Sequence, residues 1–178
     1  FHGDLNASQI WTSPIAARSL LTPVHIANLR PGSCLIQRLP RAKGAYLLSL
    51  TPERLTELKR QAIHLRRHVV ESVHHAGAGH LGGPMSAADM LIALYFEVLN
   101  IDPADPHKAD RDRFILSKGH SSLGLYSALA LRGYFPLEEL KTFDAIDSRL
   151  QGHPAMDMLP GIDMSSGSLG QGLSPGLG

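Results

Sequence analysis

An α/β layer architecture is what this sequence predicts, on three observations. Two capped helical patterns follow one another between residues 51 and 99. A short apolar run at 113–117, "RFILS", has the length and composition of a buried strand. A third helical pattern follows it directly. With 178 residues, 43% of them hydrophobic, the chain can bury a core of ordinary size.

The first helix starts from a compound signal. Thr51 stands at a capping position and Pro52 at the first helical position, and Leu50 and Leu55 occupy the positions that staple the entering chain to the helix. Leu55, Leu58, Ala62, Leu65, Val69 and Val73 then recur at three- and four-residue steps, with Arg60, Arg66, Arg67 and Glu71 largely on other faces. That amphipathic pattern runs to about Ala76, where Gly77 and Gly79 end it. His74 and His75 fall in the last turn, where a cationic side chain interacts favourably with the helix dipole.

A second helix is predicted over 87–99. Ser86 is its expected cap, Asp89 is the acidic residue three positions on, and Met85 and Met90 form a second staple pair. Its body, "ADMLIALYFEVL", is apolar on nearly every face apart from Asp89 and Glu97, so it requires cover on both sides. The strand at 113–117 lies behind the charge cluster "DRDR", expected to be solvated. Ser121 or Ser122 caps a third helix that ends at Gly133, and Pro136 opens a short helix in "PLEELKTF".

Residues 1–50 are of a different kind. Five basic residues against the single Asp4 give a net charge of +4, with four prolines and no sustained periodicity. Such a stretch has the composition of a transit peptide, and equally that of a disordered extension or of translated upstream sequence. The first methionine is Met85, so the N-terminus is not an ordinary start. The chain is therefore divided into an atypical extension, 1–50, and a domain, 51–178. The far end, 161–178, holds six glycines and stops within a pattern, which is expected of a truncated domain.

Several classes of function are disfavoured. Lys and Arg number 17 against 16 Asp and Glu, a net charge of +1, which gives no global field for nucleic acid or an anionic membrane. The single Cys34 can form neither an intrachain disulfide nor a CxxC site, which fits a reducing, cytoplasmic setting. The apolar stretch at 90–99 is far shorter than a membrane span, and a soluble protein is expected.

The residues able to carry chemistry share one character, a histidine beside glycine just after a regular element. They are His80 in "AGAGHLGGP", His120 in "SKGHSS" and His153 in "QGHP". Glycine permits close backbone approach and positive φ, and imidazole can donate, accept or exchange a proton near neutral pH. Taken singly, each is also compatible with a solvated loop residue. Neither HExxH nor any comparable metal-ligand spacing occurs. The run "SSGSLGQGLSPGLG" at 165–178 can expose successive amides to an acceptor, but it lacks the Walker ending and reads equally well as a loop leading into a helix.

Together these blocks go further. "GAGHLGGPMSAADMLIALYFEVL", "DRDRFILSKGHSSLGLYSAL", "GYFPLEELKTF", "LQGHP" and "SSGSLGQGLS" occur in the order and at the intervals of the N-terminal part of transketolases. Over residues 53–178 the chain resembles most the short N-terminal subunit of two-subunit transketolases. The resemblance implies a thiamine diphosphate-binding fold, a mainly parallel sheet between helices. It also implies transfer of a two-carbon ketol unit from a ketose phosphate to an aldose phosphate.

By the same resemblance, His80 faces the donor carbonyl and stabilises or protonates its developing oxyanion, and His153 contacts the donor's hydroxyl groups. His120 reaches the cofactor diphosphate, and Gly167, Ser168 and Leu169 hold the aminopyrimidine region. Leu81 and Ser168 stand where single-chain members commonly have proline, which leaves fine substrate preference open. The family's Mg²⁺ ligands belong to a GDG motif and a later Asn that the sequence does not contain, so no metal ligand is assigned.

The resemblance further implies a C-terminal subunit or domain as partner, dimerisation of the complete enzyme, and inactivity of these residues alone. The alternatives are a non-catalytic assembly module that keeps the fold, and another thiamine diphosphate enzyme such as deoxyxylulose phosphate synthase. "SKGH" and "LQGHP" favour transketolase over the latter.

Overall fold

The computed structural model describes residues 50–178; the extension expected at 1–50 lies, but for Leu50, outside the described residues. Helix α1, Pro52–Ala76, forms as its sequence requires. The Thr51 hydroxyl accepts a hydrogen bond from the Arg54 amide at 3.2 Å, satisfying one of the amides left over in the first turn. Leu58, Ala62, Leu65, Val69 and Ser72 are its buried residues, a stripe at alternating four- and three-residue steps. The helix ends where Gly77 enters the left-handed region at φ +68° and its amide returns to the Val73 carbonyl.

Helix α2, Gly82–Ala93, starts earlier than the expected 87. Ser86 is inside it, its hydroxyl donating to the Gly83 carbonyl at 2.9 Å, so the local capping signal is not used. The physical reason is tertiary. Gly83 lies so close to the chain around Ser121 that an added methyl group would fall 2.1 Å from the Ser121 hydroxyl. Pro84 follows within the first turn, where its missing N–H costs nothing. Asp89, expected at the acidic third position, instead binds Arg66 of α1, with one guanidinium N–H at 3.1 Å.

From Leu94 the winding widens into a π-turn, Leu94–Val98, closed by the Leu99 amide on the Leu94 carbonyl. Glu97 in this turn pairs with Arg54 at the start of α1. Cover on both sides of α2 is not complete among the described residues, since Met90 is 59% exposed.

Helix α3, Ser122–Arg132, is preceded by a 3₁₀ turn, Gly119–Ser121, and stops at Gly133 with φ +97°. Ser121 is at the expected N-cap but makes no capping hydrogen bond. Nearly every residue of α3 is buried, and it packs on both α1 and α2 as the central element of the core. Gly124 allows the close crossing, because a methyl group there would already touch Pro84 and Leu91 of α2 at 3.2 Å. The Arg132 guanidinium donates to the Tyr95 carbonyl at 3.1 Å, satisfying a leftover acceptor in the π-turn that follows α2. The short helix after Pro136 forms as a 3₁₀ helix, Leu137–Thr142, and a last helix, α4, spans Leu173–Leu177.

The strand expected at 113–117 is a correction, since no sheet occurs among the described residues. A strand exists only through a ladder with a neighbour. Here the Phe114 amide donates at 2.8 Å to the Asp163 carboxylate instead. The apolar character of the run is still used, because Leu116 is buried and Phe114 meets the edge of Tyr95 at 5.6 Å between ring centres. The "DRDR" cluster is likewise not wholly solvated. Arg111 and Asp163 form an ion pair whose side chains are only 8% and 4% exposed.

Candidate functional site

Four segments converge beside the N-terminal end of α3. The first is the turn from α1 to α2. Gly79, at φ +134°, lies against Val73 and Phe143 so closely that a methyl group would fall 2.9 Å from a Val73 methyl, and the next residue, His80, stands exposed. The second is the 3₁₀ turn that carries His120, half-buried, at the entry to α3. The imidazoles of His80 and His120 approach to 4.9 Å between ring centres, tilted by 44°.

The third segment is the glycine-rich run. A methyl group on Gly119 would fall 2.6 Å from the Ser166 carbonyl oxygen and 2.9 Å from the Gly167 nitrogen, so backbone lies against backbone at that point. Only glycine permits this. The fourth is the "QGHP" loop: the His153 ring lies beside Gly167, 3.8 Å from where a β-carbon would stand, and the Ser166 amide donates to the Pro154 carbonyl at 3.2 Å. His80, His120, Gly167 and His153 thus form one continuous surface. Ser168 and Leu169 extend it into solvent, with Leu169 69% exposed.

The surface is rich in donors. An imidazole and a helix N-terminus lie together at His120, where amides without intrahelical partners favour negative charge. The hydroxyls of Ser121 and Ser166 are buried without a hydrogen-bond partner. Behind the surface, burial, reinforced by the Asp144 carboxylate, pushes the Tyr126 phenol well above its ordinary range, so it keeps its proton for the loop carbonyls.

His74 and His75 are not part of this surface. They line a separate cleft of about 480 Å³ with Arg67, His68, Glu71 and Lys141. Another cavity, about 430 Å³, lies against His107, Arg111 and residues 156–163. Among the described residues, no group of three or more His, Cys, Asp or Glu side chains is arranged to hold a metal ion.

Residues missed by sequence reasoning are Gly119, which sets the approach of the glycine run, and the buried hydroxyls of α3 that reach the "QGHP" loop. Gly119 is visible as part of "SKGH". The hydroxyls have no local signal, because their partners are distant backbone carbonyls.

The family described as "Transketolase, thiamine diphosphate binding domain" matches residues 58–178. The chain belongs to this transketolase domain family. Among its relatives is the 6-deoxy-6-sulfo-D-fructose transketolase subunit SqwG of Clostridium sp. (strain MSTE9), 45% identical over 71% of this chain and 46% of that protein. A relative from Phocaeicola vulgatus, named as one subunit of an apulose-4-phosphate transketolase, is 42% identical over 64% of this chain and 40% of its own.

A solved transketolase from Pichia stipitis, in complex with sedoheptulose 7-phosphate, superposes with a TM-score of 0.65 at 36% identity. The match covers 67% of this chain and 18% of that one. A transketolase from Leishmania mexicana gives 0.63 at 36% identity, over 66% of this chain and 18% of its own. The chain thus spans less than half the length of these relatives. The likeness assigns the helices to the thiamine diphosphate-binding fold that the sequence implies. No described helix of this transketolase domain is long and apolar enough to cross a membrane.

Proposed function

We propose that this chain supplies the diphosphate-binding part of a transketolase that moves a two-carbon ketol unit between sugar phosphates. It would act with a C-terminal partner subunit or domain, as a dimer, in the cytoplasm. The observation that carries this reading is the convergence of His80, His120 and the glycine run on one surface, with the imidazoles 4.9 Å apart. Two relatives being named as transketolase subunits supports the two-part organisation.

The residues present fit thiamine diphosphate. The half-buried His120 at the mouth of α3 offers an N–H donor where the helix dipole favours anions, which suits a diphosphate oxygen. The backbone of 167–169, brought close by Gly119, offers polar groups beside an exposed apolar Leu169, which suits a flat heteroaromatic ring carrying an amino group. Bound there, the cofactor would supply the stabilisation of a carbanion that amino-acid side chains lack.

His80, exposed and in contact with His120, is placed to donate a proton or hydrogen bond to a developing oxyanion of the donor sugar. His153, beside Gly167, would donate to or accept from the donor's hydroxyl groups. Mg²⁺ prefers oxygen ligands in octahedral array, and no role in holding it is assigned to the described residues.

The test is calorimetric titration of thiamine diphosphate with Mg²⁺ into the full-length protein and its His120→Ala variant. Loss of a hydrogen bond to a charged oxygen should weaken binding about 10- to 100-fold. Unchanged affinity would remove His120 from the diphosphate site. Assaying ketose phosphate against pyruvate as donor then separates ketol transfer from the synthase reaction.

A further inference from the structure

Five consecutive carbonyls, those of residues 150–154, all accept hydrogen bonds from groups outside that stretch. The Asp144 amide binds that of Leu150 at 2.9 Å and the Ser166 amide that of Pro154 at 3.2 Å. The three between them are held by α3. The Ser122 hydroxyl donates to Gly152 at 2.9 Å, and the Tyr126 hydroxyl lies 3.0 Å from the Gln151 carbonyl and 3.3 Å from that of His153.

Ser122 and Tyr126 are one helical turn apart on the same face of α3, and both are only 1% exposed. The phenol has one proton to share between its two acceptors, so it sits as a peg between the carbonyls that flank Gly152.

We propose that Tyr126, with Ser122, is a positioning residue that fixes His153 relative to His120. This rests on the reading of His153 as a contact to the donor sugar. The two histidines belong to segments far apart in sequence, yet α3 carries His120 at its entry and grips the His153 backbone within its first two turns. A rigid helix therefore sets the separation of the two ligand-facing groups, and the Ser166 amide ties the same loop to the glycine run. Without the hydroxyls, the loop keeps its ends but loses the three central attachments, and the exposed imidazole is free to swing.

The experiment compares wild type, Tyr126→Phe, Ser122→Ala, the double variant and Ser122→Thr in the full-length protein with its partner. Phenylalanine retains the ring that fills the core, so the fold is kept. Amide hydrogen exchange of Ser166, whose N–H donates to the Pro154 carbonyl of this loop, should accelerate about fivefold to tenfold in each single variant and further in the double. Exchange in α1 should be unchanged, and Ser122→Thr, which keeps the hydroxyl, should restore the wild-type rate. The donor KM should rise about fivefold while kcat changes less than twofold, because loose positioning weakens ground-state and transition-state contact alike.

Unchanged exchange of the Ser166 amide in the double variant would overturn the proposal, as would acceleration spread evenly through α1 and α3. Failure of the underlying reading looks different: His153→Ala would leave donor KM untouched while the exchange result above still held.

Discussion

At the scale of single residues, the site depends on one atom that is missing. Gly119 carries no β-carbon, and the Ser166–Gly167 backbone occupies the space where one would stand, with the Ser166 oxygen 2.6 Å from it. Backbone cannot swing aside as a flexible side chain can. Gly119→Ala must therefore push the glycine run away from His120 or move the 3₁₀ turn itself. Either adjustment should cost about 1–3 kcal/mol in denaturant titration. If the proposed cofactor surface is right, it should also weaken thiamine diphosphate binding in the full-length protein beyond what the lost stability explains. A fully stable variant with intact binding would show that this approach is not required. Gly124, also close-packed, is the control: its nearest atoms are 3.2 Å away and belong to α2 rather than to the histidine segments, so alanine there should affect stability without a specific effect on binding.

At the scale of elements, what is legible in the sequence is whatever the chain specifies locally. All the signals for α1 lie within the helix or next to it, and Thr51, Pro52, the apolar stripe from Leu58 on and Gly77 do what their positions require, whereas Leu55, expected to open the stripe and to staple Leu50, is 43% exposed. Thr51→Ala should accordingly cost about 1 kcal/mol of stability by thermal or urea unfolding, the ordinary loss of a cap hydrogen bond. The start of α2 is misread from sequence because Ser86 and Asp89 imitate a capping box, whereas the real start at Gly82 is fixed by the approach of Gly83 to Ser121, which no local pattern encodes. The run at 113–117 has the apolarity of a strand, but a strand is a property of two segments, and burial alone does not make one.

Asp89 does its work across elements instead. Its hydrogen bond from Arg66 holds its carboxyl below the ordinary value of 3.8, so the pair stabilises the fold above that pH and the contribution is lost as pH falls through the lowered folded value. Because the Asp89 side chain is 71% exposed, solvent screens the pair, and Asp89→Asn should cost only about 0.5 kcal/mol at neutral pH. The difference from wild type should shrink towards zero as pH is lowered below 3.8 in parallel melts. A difference independent of pH would mean that Asp89 acts through something other than its charge.

At the scale of the whole molecule, the three Gly-His segments of the candidate site are legible because each is a short motif, while the frame that holds them together is not. Ser122 reads as a candidate helix cap, Tyr126 as an ordinary core position of a helix, and Arg111 as one of a solvated cluster. Arg111 shows most clearly what sequence proximity conceals. Its partner Asp163 lies 52 positions on, in the segment that leads into the glycine run, and that carboxylate also accepts from the Phe114 amide at 2.8 Å and faces Arg113 at 3.6 Å.

One buried carboxylate thus ties the approach to the His120 turn to the approach to the 166–169 segment. Asp163→Ala would leave the Arg111 guanidinium, 8% exposed, without its counter-charge and the Phe114 amide without its acceptor. Such a loss should cost about 3–5 kcal/mol, a large share of a domain's stability. Replacing both partners, Arg111→Met with Asp163→Leu, removes the stranded charge though not the orphaned Phe114 amide, and should recover part of that loss in urea unfolding. If the single variant does not fold, a folded double variant gives the same answer. A single variant as stable as wild type would mean that the pair is screened and that the two approaches to the site are held apart from one another.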